Sequence, residues 1–335
     1  MSDVKKIATR DSYGNALAEL GKEHENLYVL DADLAAATKT ATFKKAFPER
    51  HIDCGIAEAN MIGMAAGMAT TGKIPFVSTF AMFLAGRGFE QVRNSVGYPH
   101  LNVKFGATHA GISVGPDGAT HQCNEDIALM RTIPGMTIIN PSDDVEARAA
   151  VKAAYEMNGP VYMRFGRLAV PVINDNPDYH FEIGKGVTLK DGSDVTIVAT
   201  GLEVAASLEA AKSLEQDGIS ARVINIHTIK PIDEELLVKA AKETGKIVTV
   251  EEHSIIGGLG GAVCEVLAEQ APVPVKRLGI RDEFGEMCIR DRCLREDMRR
   301  RRSWKSWERP SLSGRERPWC GEDRFCGEAE RGPEI

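Results

Sequence analysis

The sequence predicts an α/β fold in which a mostly parallel sheet carries helices on both faces. Short β-rich runs alternate with longer helical patterns, as expected when each parallel strand needs a crossover connection. The alternation occurs twice along the 335 residues, and a polar, proline-containing stretch at residues 171–178 separates the two series. The chain therefore divides into two α/β domains.

The first series contains five runs rich in β-branched and apolar residues, which predict strands. They cover residues 27–30, 74–79, 102–107, 136–139 and 161–164. A helical pattern lies between the last two, at residues 143–157. The second series predicts further strands with helices between them. They cover residues 195–199, 221–226, 246–250 and 273–278.

Two features of the second series are interpreted as structural. The glycine-rich segment 257–261 lacks the dinucleotide-binding spacing, so we expect a tight turn from a strand into a helix rather than a nucleotide site. His227 and His253 are expected to be packed residues or interface residues rather than catalysts.

The composition is that of an ordinary globular protein, with 43% apolar and 27% charged residues. A net charge of −7 disfavours binding to nucleic acid or to an anionic membrane surface. The N-terminus lacks an apolar signal region, and no run of residues is apolar enough for a membrane span, so we expect a cytoplasmic location. The scattered Cys54, Cys123 and Cys264 lack metal-ligand spacing and fit a reducing compartment.

Within residues 53–67, Glu58 is the one acid at the head of a helix made almost entirely of Ala, Gly, Met and Ile. A helix this small and apolar is expected to be buried. An acid entering such surroundings needs a partner that makes its burial tolerable. The alternative is a solvated acid that favours the positive end of the helix dipole.

Residues 53–67, 78–83 (STFAMF) and 106–122 (GATHAGISVGPDGATHQ) together resemble transketolase, in particular the separate C-terminal subunit of two-gene bacterial transketolases. The resemblance runs from about residue 4 to 286. It implies a pyrimidine-binding domain of a thiamine-diphosphate enzyme at residues 1–175 and a transketolase C-terminal-like domain at residues 176–286.

The resemblance implies four cofactor-binding residues: Asp33, Glu58, Phe80 and Phe83. Glu58 would bind N1′ of the aminopyrimidine ring, and the two aromatics would surround that ring. Without the motif, Phe80 and Phe83 fit plain core packing equally well, and Asp33 fits a helix cap. The next aromatic position of the family falls at Gly86 here.

The resemblance also implies a set of substrate-binding residues: Arg10, His109, Asp117, His121 and Arg164. His109 and His121 would also be catalytic, because histidine moves protons near neutral pH. Arg10 and Arg164 would bind the sugar phosphate. A serine of the family at this phosphate is replaced by Ala37.

The Gly-Asp-Gly motif, with which the family binds the diphosphate and Mg²⁺, is absent from the chain. The resemblance therefore implies half of an enzyme: no metal ligand lies in this chain, and an N-terminal transketolase subunit would hold the diphosphate and Mg²⁺. By analogy we expect an α2β2 heterotetramer, with the apolar face around Met61, Met64 and Met68 as subunit contact.

The implied reaction is two-carbon ketol transfer between sugar phosphates, as in the pentose phosphate pathway. The enzymatic alternatives are a 1-deoxyxylulose-5-phosphate synthase and the β subunit of a 2-oxoacid dehydrogenase. The non-enzymatic alternative is a catalytically silent regulatory paralogue.

The resemblance stops after residue 286, and residues 287–292 (MCIRDR) look like the translation of a transposase adaptor used in sequencing libraries. All three Trp and four of the seven Cys lie after residue 286. Neither a nucleic-acid site nor a metal cluster fits their irregular spacing. We expect residues 287–335 to be an aberrant, disordered tail that replaces the final elements of the family and leaves an apolar face of the C-terminal domain uncovered.

Overall fold

The computed structural model describes residues 5–285. Within them, no helix is long and apolar enough to cross a membrane. The expectations for residues 287–335 lie outside the described residues.

The first domain contains eight strands and seven helices within the described residues. The strands are β1 Lys6–Ala8, β2 Leu27–Asp31, β3 His51–Asp53, β4 Ile74–Phe80, β5 Lys104–Thr108, β6 Thr137–Ile139, β7 Val161–Phe165 and β8 Ala169–Pro171. The helices are α1 Thr9–Glu23, α2 Ala35–Thr38, α3 Ala41–Ala46, α4 Glu58–Ala69, α5 Phe89–Gln91, α6 Asp126–Arg131 and α7 Asp144–Glu156.

The second domain contains six strands and three helices within the same described range. The strands are β9 Val187–Lys190, β10 Val195–Ala199, β11 Ala221–Asn225, β12 Thr228–Lys230, β13 Ile247–Ser254 and β14 Val275–Ile280. The helices are α8 Glu203–Gln216, α9 Glu234–Thr244 and α10 Leu259–Gln270. Every strand predicted from the sequence is present, with ends that shift by a few residues.

The first sheet has seven strands in the order β12-β6-β7-β5-β4-β2-β3, and only the β12 edge is antiparallel. Side chains alternate between its two faces. Val77 and Phe105 enter one apolar core together with α4, whereas Phe76 and Phe165 enter the other, which is covered by α1 and α7. The predicted mostly parallel sheet with helices on both faces is confirmed.

Within this chain, helix α4 is buried on one side and open to solvent on the other. Met61 is 0% exposed and packs in the core of its own domain, so it is not part of an outer face. Met64 is 38% exposed and Ile56, just before the helix, is 74% exposed. Any subunit contact on α4 would therefore use the side with Ile56 and Met64.

The second sheet has the order β14-β13-β10-β11-β9, with β9 antiparallel. The chain then leaves this sheet, and β12 extends the first sheet by pairing with β6. The glycine-rich segment forms the predicted strand-to-helix turn. Its backbone N–H groups at Leu259 and Gly260 donate to the carboxylate of Glu251 at 2.6 and 2.8 Å, so an acid of the same domain occupies the N-terminus of α10.

The segment between the domains is fastened to the first domain by Asp143. Its Oδ1 atom caps α7 by accepting from the N–H of Glu146 at 2.9 Å. Its Oδ2 atom accepts from the N–H groups of Ile173 and Asn174 at 2.8 and 2.7 Å. One buried carboxylate therefore serves both a helix and the polar stretch after β8.

Candidate functional site

The candidate site lies where neighbouring strands of the first sheet end. Strands β2, β4 and β5 are parallel, and their carboxyl ends meet at one edge of the sheet. Asp33 follows β2, Phe80 is the last residue of β4, and His109 follows β5. Ligands bind at this end of parallel sheets, because the loops there present side chains from several strands to one place.

The acid at the head of α4 has a cationic partner. Glu58 is 4% exposed, and its Oε1 atom accepts a hydrogen bond of 3.1 Å from Nη1 of Arg87. Arg87 ends the π-helical segment Phe83–Arg87, and its guanidinium carbon lies 4.3 Å from the centroid of the Phe83 ring. Burying a carboxylate is costly unless it is paired, so Arg87 supplies the partner that the apolar surroundings require.

Aromatic rings continue from Arg87 toward the end of β5. The rings of Phe83 and Phe80 are stacked with centroids 5.9 Å apart, and Phe80 stacks on His109 at 3.8 Å. His121 meets Phe83 edge-on at 5.2 Å. We call the resulting line of contacts the ring row. It consists of Glu58, Arg87, Phe83, Phe80, His109 and Arg10.

His109 is held in one tautomer. Nη1 of Arg10 donates to Nε2 of His109 at 3.0 Å, so Nε2 accepts and Nδ1 carries the proton. Nδ1 then donates to Oγ1 of Thr108 at 3.0 Å. Burial, followed by the positive charges of Arg10 and Arg167, lowers the pKa of His109 to about 3. The imidazole is therefore neutral near pH 7 and acts through hydrogen bonds.

Arg10 and Arg167 make the far end of the ring row basic. Burial lowers the pKa of Arg10, and the charge of Arg167 acts in the same direction. Nη1 of Arg167 donates to the carbonyl oxygen of Val114 at 2.6 Å. This nitrogen would lie 1.8 Å from a Cβ atom at Gly115, whose φ is +75°. A glycine is needed there both for its backbone conformation and for the passage of the arginine.

The resemblance implied two further substrate-binding residues, Asp117 and His121. Asp117 is exposed at the end of the 3-10 segment Gly115–Asp117, and its charge acts on Arg10. His121 is half-buried, and its Nδ1 atom lies 3.0 Å from Oγ1 of Thr120. His121 therefore borders the rings of Phe80 and Phe83, and Asp117 lies near the basic end of the ring row.

Asp33 lies in the loop after β2, and Asp31 stabilises this loop through hydrogen bonds. Oδ1 of Asp31 accepts from the N–H of Leu34 at 2.6 Å, and its Oδ2 accepts from Oγ1 of Thr38 at 2.7 Å. Asp33 itself is exposed with φ +61°, and its N–H donates to Oδ1 of Asp53 at 3.1 Å. The N-cap residue of α2 is Leu34 and no side chain caps this helix, so Asp33 is not a helix cap.

The ring row does not include Arg164, to which the resemblance gave a place at the sugar phosphate. Arg164 is 4% exposed, and its Nε donates to Oδ2 of Asp126 at 2.9 Å. Its Nη2 donates to the carbonyl oxygen of Glu252 at 2.9 Å. Arg164 lies within β7 and is engaged at the contact between the two domains. Arg167, just beyond the end of that strand, reaches the site instead.

Two functional candidates were therefore missed from the sequence. Arg87 follows Phe83 by four residues, a spacing that puts both side chains on one side of a helix. Arg167 follows the carboxyl end of a predicted strand, where site residues concentrate in parallel sheets. Each signal was present in the sequence but was weak without the neighbouring strands and helices.

His227 and His253 are packed residues, as predicted. Burial lowers the pKa of each to about 4. His227 stacks on Phe181 at 4.3 Å, and Nδ1 of His253 donates to the carbonyl oxygen of Ser254 at 2.7 Å. Across residues 5–285, no group of three His, Cys, Asp or Glu side chains is arranged to hold a metal ion.

Family models match both domains of the chain. The transketolase pyrimidine binding domain matches residues 5–172, and the transketolase C-terminal domain matches residues 184–295. The second match runs a few residues past the point at residue 286 where the sequence motifs stop.

Individual proteins match over most of the chain. A Methanocaldococcus jannaschii protein, whose name describes a transketolase C-terminal section, is 54% identical over 288 residues, covering 85% of this chain and 90% of that protein. A 6-deoxy-6-sulfo-D-fructose transketolase subunit of Clostridium sp. (strain MSTE9) is 46% identical, covering 84% and 87%. A solved structure described as a split gene transketolase, inactive β4 tetramer, is 56% identical with a TM-score of 0.77, covering 83% and 91%.

Proposed function

We propose that this chain, which belongs to the transketolase family, is one half of a split transketolase that transfers a two-carbon ketol unit from a ketose phosphate to an aldose phosphate. The observation that carries the proposal is the ring row, because it joins a buried acid to a basic end through flat aromatic faces. An elongated site of this kind suits a flat cofactor ring at one end and an anionic sugar at the other.

Thiamine diphosphate fits the Glu58 end of the ring row. The guanidinium of Arg87 is a planar group with N–H donors that lies over Phe83 and donates to Glu58, and an aminopyrimidine ring protonated at N1′ would offer the same two features. When bound, the cofactor supplies the carbon that carries the ketol unit. Glu58 would bind ring atom N1′, Phe80 and Phe83 would orient the ring, and Asp33 would border the cofactor from the loop after β2.

Sugar hydroxyl groups would lie against His109, His121 and Asp117. His109 is neutral and fixed in one tautomer, so it would orient a hydroxyl group rather than carry charge. His121 borders the open side of the rings and would move a proton at a sugar hydroxyl. The exposed carboxylate of Asp117 would accept a hydrogen bond from a neighbouring hydroxyl.

The basic end of the ring row would bind the anionic end of the sugar. Arg10 and Arg167 approach His109 from two different segments of the chain, and a forked guanidinium suits phosphate oxygens. We assign to Arg167 the role that the resemblance gave to Arg164, because Nε and Nη2 of Arg164 donate to Asp126 and to the carbonyl oxygen of Glu252.

A second polypeptide would hold the diphosphate and Mg²⁺. The chain contains no Gly-Asp-Gly motif, and relatives covered almost end to end are named as a section or subunit of transketolase. The similar solved structure is described as an inactive β4 tetramer. We propose an α2β2 assembly in which the side of α4 with Ile56 and Met64 contacts other subunits. The free cysteines of the described residues, Cys54, Cys123 and Cys264, are compatible with the cytoplasm.

Mixing experiments test this proposal. The purified chain alone is expected to be inactive, and the mixture with an N-terminal-type transketolase subunit from the same genome is expected to transfer ketol units when both thiamine diphosphate and Mg²⁺ are present. Substantial turnover by the single chain would contradict the division into two halves. A mixture that binds but shows no turnover would favour the catalytically silent paralogue.

The enzymatic alternatives differ in their donor substrates. A 1-deoxyxylulose-5-phosphate synthase or a 2-oxoacid dehydrogenase β subunit would use a 2-oxoacid, which needs no phosphate-binding end on the donor side. The basic end formed by Arg10 and Arg167 favours a phosphorylated sugar as substrate, and the donor assay then decides between a ketose phosphate and a 2-oxoacid. Assaying the mixture with pyruvate and with a ketose phosphate as donors would separate these activities. A phosphorylated pentose donor would place the enzyme in the pentose phosphate pathway.

A further inference from the structure

The loop that carries His109, Asp117 and His121 is closed at its base. The N–H of Gly111 donates to the carbonyl oxygen of Cys123 at 2.9 Å, and the N–H of Cys123 donates back to Gly111 at 3.0 Å. We call residues 109–123 the substrate loop. Most of it is irregular, so its shape depends on the groups that bind its backbone.

A glutamate of the second domain binds this backbone. Oε1 of Glu252, on β13, accepts hydrogen bonds from the N–H groups of Ile112 and Ser113 at 2.9 and 2.7 Å. The carboxylate is 4% exposed. The position of Glu252 also explains why residue 111 is a glycine, because a Cβ atom there would lie 2.3 Å from Cδ of Glu252. In addition, the φ of +77° at this position disfavours other residues.

Arg164 ties the same two segments together. Its Nη2 donates to the carbonyl oxygen of Glu252 at 2.9 Å and is within 3.4 Å of the carbonyl oxygen of Cys123. Its Nε is paired with Asp126 at 2.9 Å. The base of the substrate loop and the end of β13 therefore share one buried network of charge-assisted hydrogen bonds.

The neighbouring glutamate provides a comparison within the same strand. Glu251 is also buried and also accepts two successive backbone N–H bonds, from Leu259 and Gly260. Burial raises the pKa of both Glu251 and Glu252 to about 7. The two acids have the same chemistry, but Glu251 serves a helix of its own domain and Glu252 serves the substrate loop of the other.

We propose that Glu252 is a positioning residue, through which the second domain holds the substrate loop so that His109 and His121 keep their places beside Phe80 and Phe83. The inference deepens the proposed function, and its kinetic consequence rests on that function. Its structural consequence does not, because the contacts belong to this chain alone.

Hydrogen exchange on the full-length chain tests the structural consequence without any enzyme assay. In Glu252→Ala, the amides of Ile112 and Ser113 are expected to exchange about tenfold faster or more, because each loses its acceptor. In the matched control Glu251→Ala, the faster exchange should appear at the start of α10 and not at Ile112 and Ser113. Unchanged exchange at Ile112 and Ser113 in Glu252→Ala would overturn the inference.

A second substitution covers the case in which Glu252→Ala does not fold. Glu252→Asp keeps the buried charge beside Arg164 but shortens the side chain by one methylene, so the acceptor withdraws from the substrate loop. It should show the same faster exchange at Ile112 and Ser113, and normal protection there would again overturn the inference.

Kinetics of the assembled enzyme test the consequence for the substrate. Glu252→Ala should lower kcat/KM for the ketose donor about tenfold or more, while the half-saturating concentration of thiamine diphosphate stays unchanged. Glu252→Gln should recover most of the loss, because its carbonyl oxygen can accept from both amides, and Glu251→Ala should match the unmodified chain. Normal donor kinetics in Glu252→Ala would overturn the inference. An inactive unmodified complex would refute the proposed function, while the exchange result would still decide the role of Glu252.

Discussion

The substitution Glu58→Gln distinguishes the proposed catalytic role of the Glu58 carboxylate from its contribution to the stability of the fold. Glutamine keeps the volume and a carbonyl oxygen that faces Arg87, but it has no charge. Because Arg87 is 53% exposed, losing the ion pair should cost at most about 1 kcal/mol of the free energy of unfolding. Losing a positioned electrostatic group typically lowers kcat about a hundredfold, which is about 2.7 kcal/mol of activation free energy. The two effects are therefore distinguishable.

The assay measures both quantities on matched variants. Denaturant unfolding of the chain alone reports its stability, and kcat of the complex at saturating thiamine diphosphate and Mg²⁺ reports the chemistry. Arg87→Gln is the control, because it removes the same ion pair from the other side and leaves the carboxylate of Glu58 in place. We expect a larger stability loss in Arg87→Gln, because it leaves the buried carboxylate of Glu58 without its partner, and a much larger loss of kcat in Glu58→Gln.

Two results would refute this reasoning. Near-normal kcat in Glu58→Gln would favour the alternative interpretation, in which Glu58 only interacts with the positive end of the α4 dipole. Equal loss of kcat in Glu58→Gln and Arg87→Gln would mean that the ion pair matters rather than the carboxylate.

Arg10→Gln should raise the pKa of His109 from about 3 toward 6.5, because a neighbouring positive charge is removed, and an NMR titration would show it. Since the folded-state pKa of His109 lies below its unfolded value, stability is lost as the pH falls below 6.5, and Arg10→Gln should reduce that loss. Arg167→Gln should raise KM for the ketose phosphate about tenfold without changing cofactor affinity, whereas Arg164→Gln should mainly lower the Tm, because it leaves a buried acid unpaired. Resequencing the locus tests whether residues 287–335 are a sequencing artefact. A genomic read that contains the same codons in frame would contradict that interpretation.

The strands were predictable where local pattern alone decides the structure. Buried parallel strands read as short apolar runs, and β10 and β11 lie where those runs predicted them. The end of β13 was missed because Glu251, Glu252 and His253 look exposed in the sequence, although all three are buried and hydrogen-bonded. β12 was missed because its pairing with β6 joins segments far apart along the chain.

The site was predictable where a motif carries it and uncertain where only charge type guided the choice. Glu58, Phe80 and His109, to which the resemblance gave cofactor and substrate roles, belong to one line of contacts. Deciding whether Arg164 or Arg167 lies beyond the end of β7 requires the exact last residue of that strand. The sequence pattern locates this residue only to within one or two positions. The structure ends β7 at Phe165, which leaves Arg164 inside the sheet and Arg167 in the loop beyond it.

The two ends of the ring row differ in how the chain itself supports them. At the sugar end, the substrate loop is bound from the second domain by Glu252, and Arg10 is bound to His109, so the residues that would read the sugar have fixed partners. At the Glu58 end, the counter-ion Arg87 is half exposed and the outer side of α4 is open around Met64. This asymmetry is compatible with the proposed division into two subunits, because the proposal needs the Glu58 end to be accessible to a second subunit that holds the diphosphate.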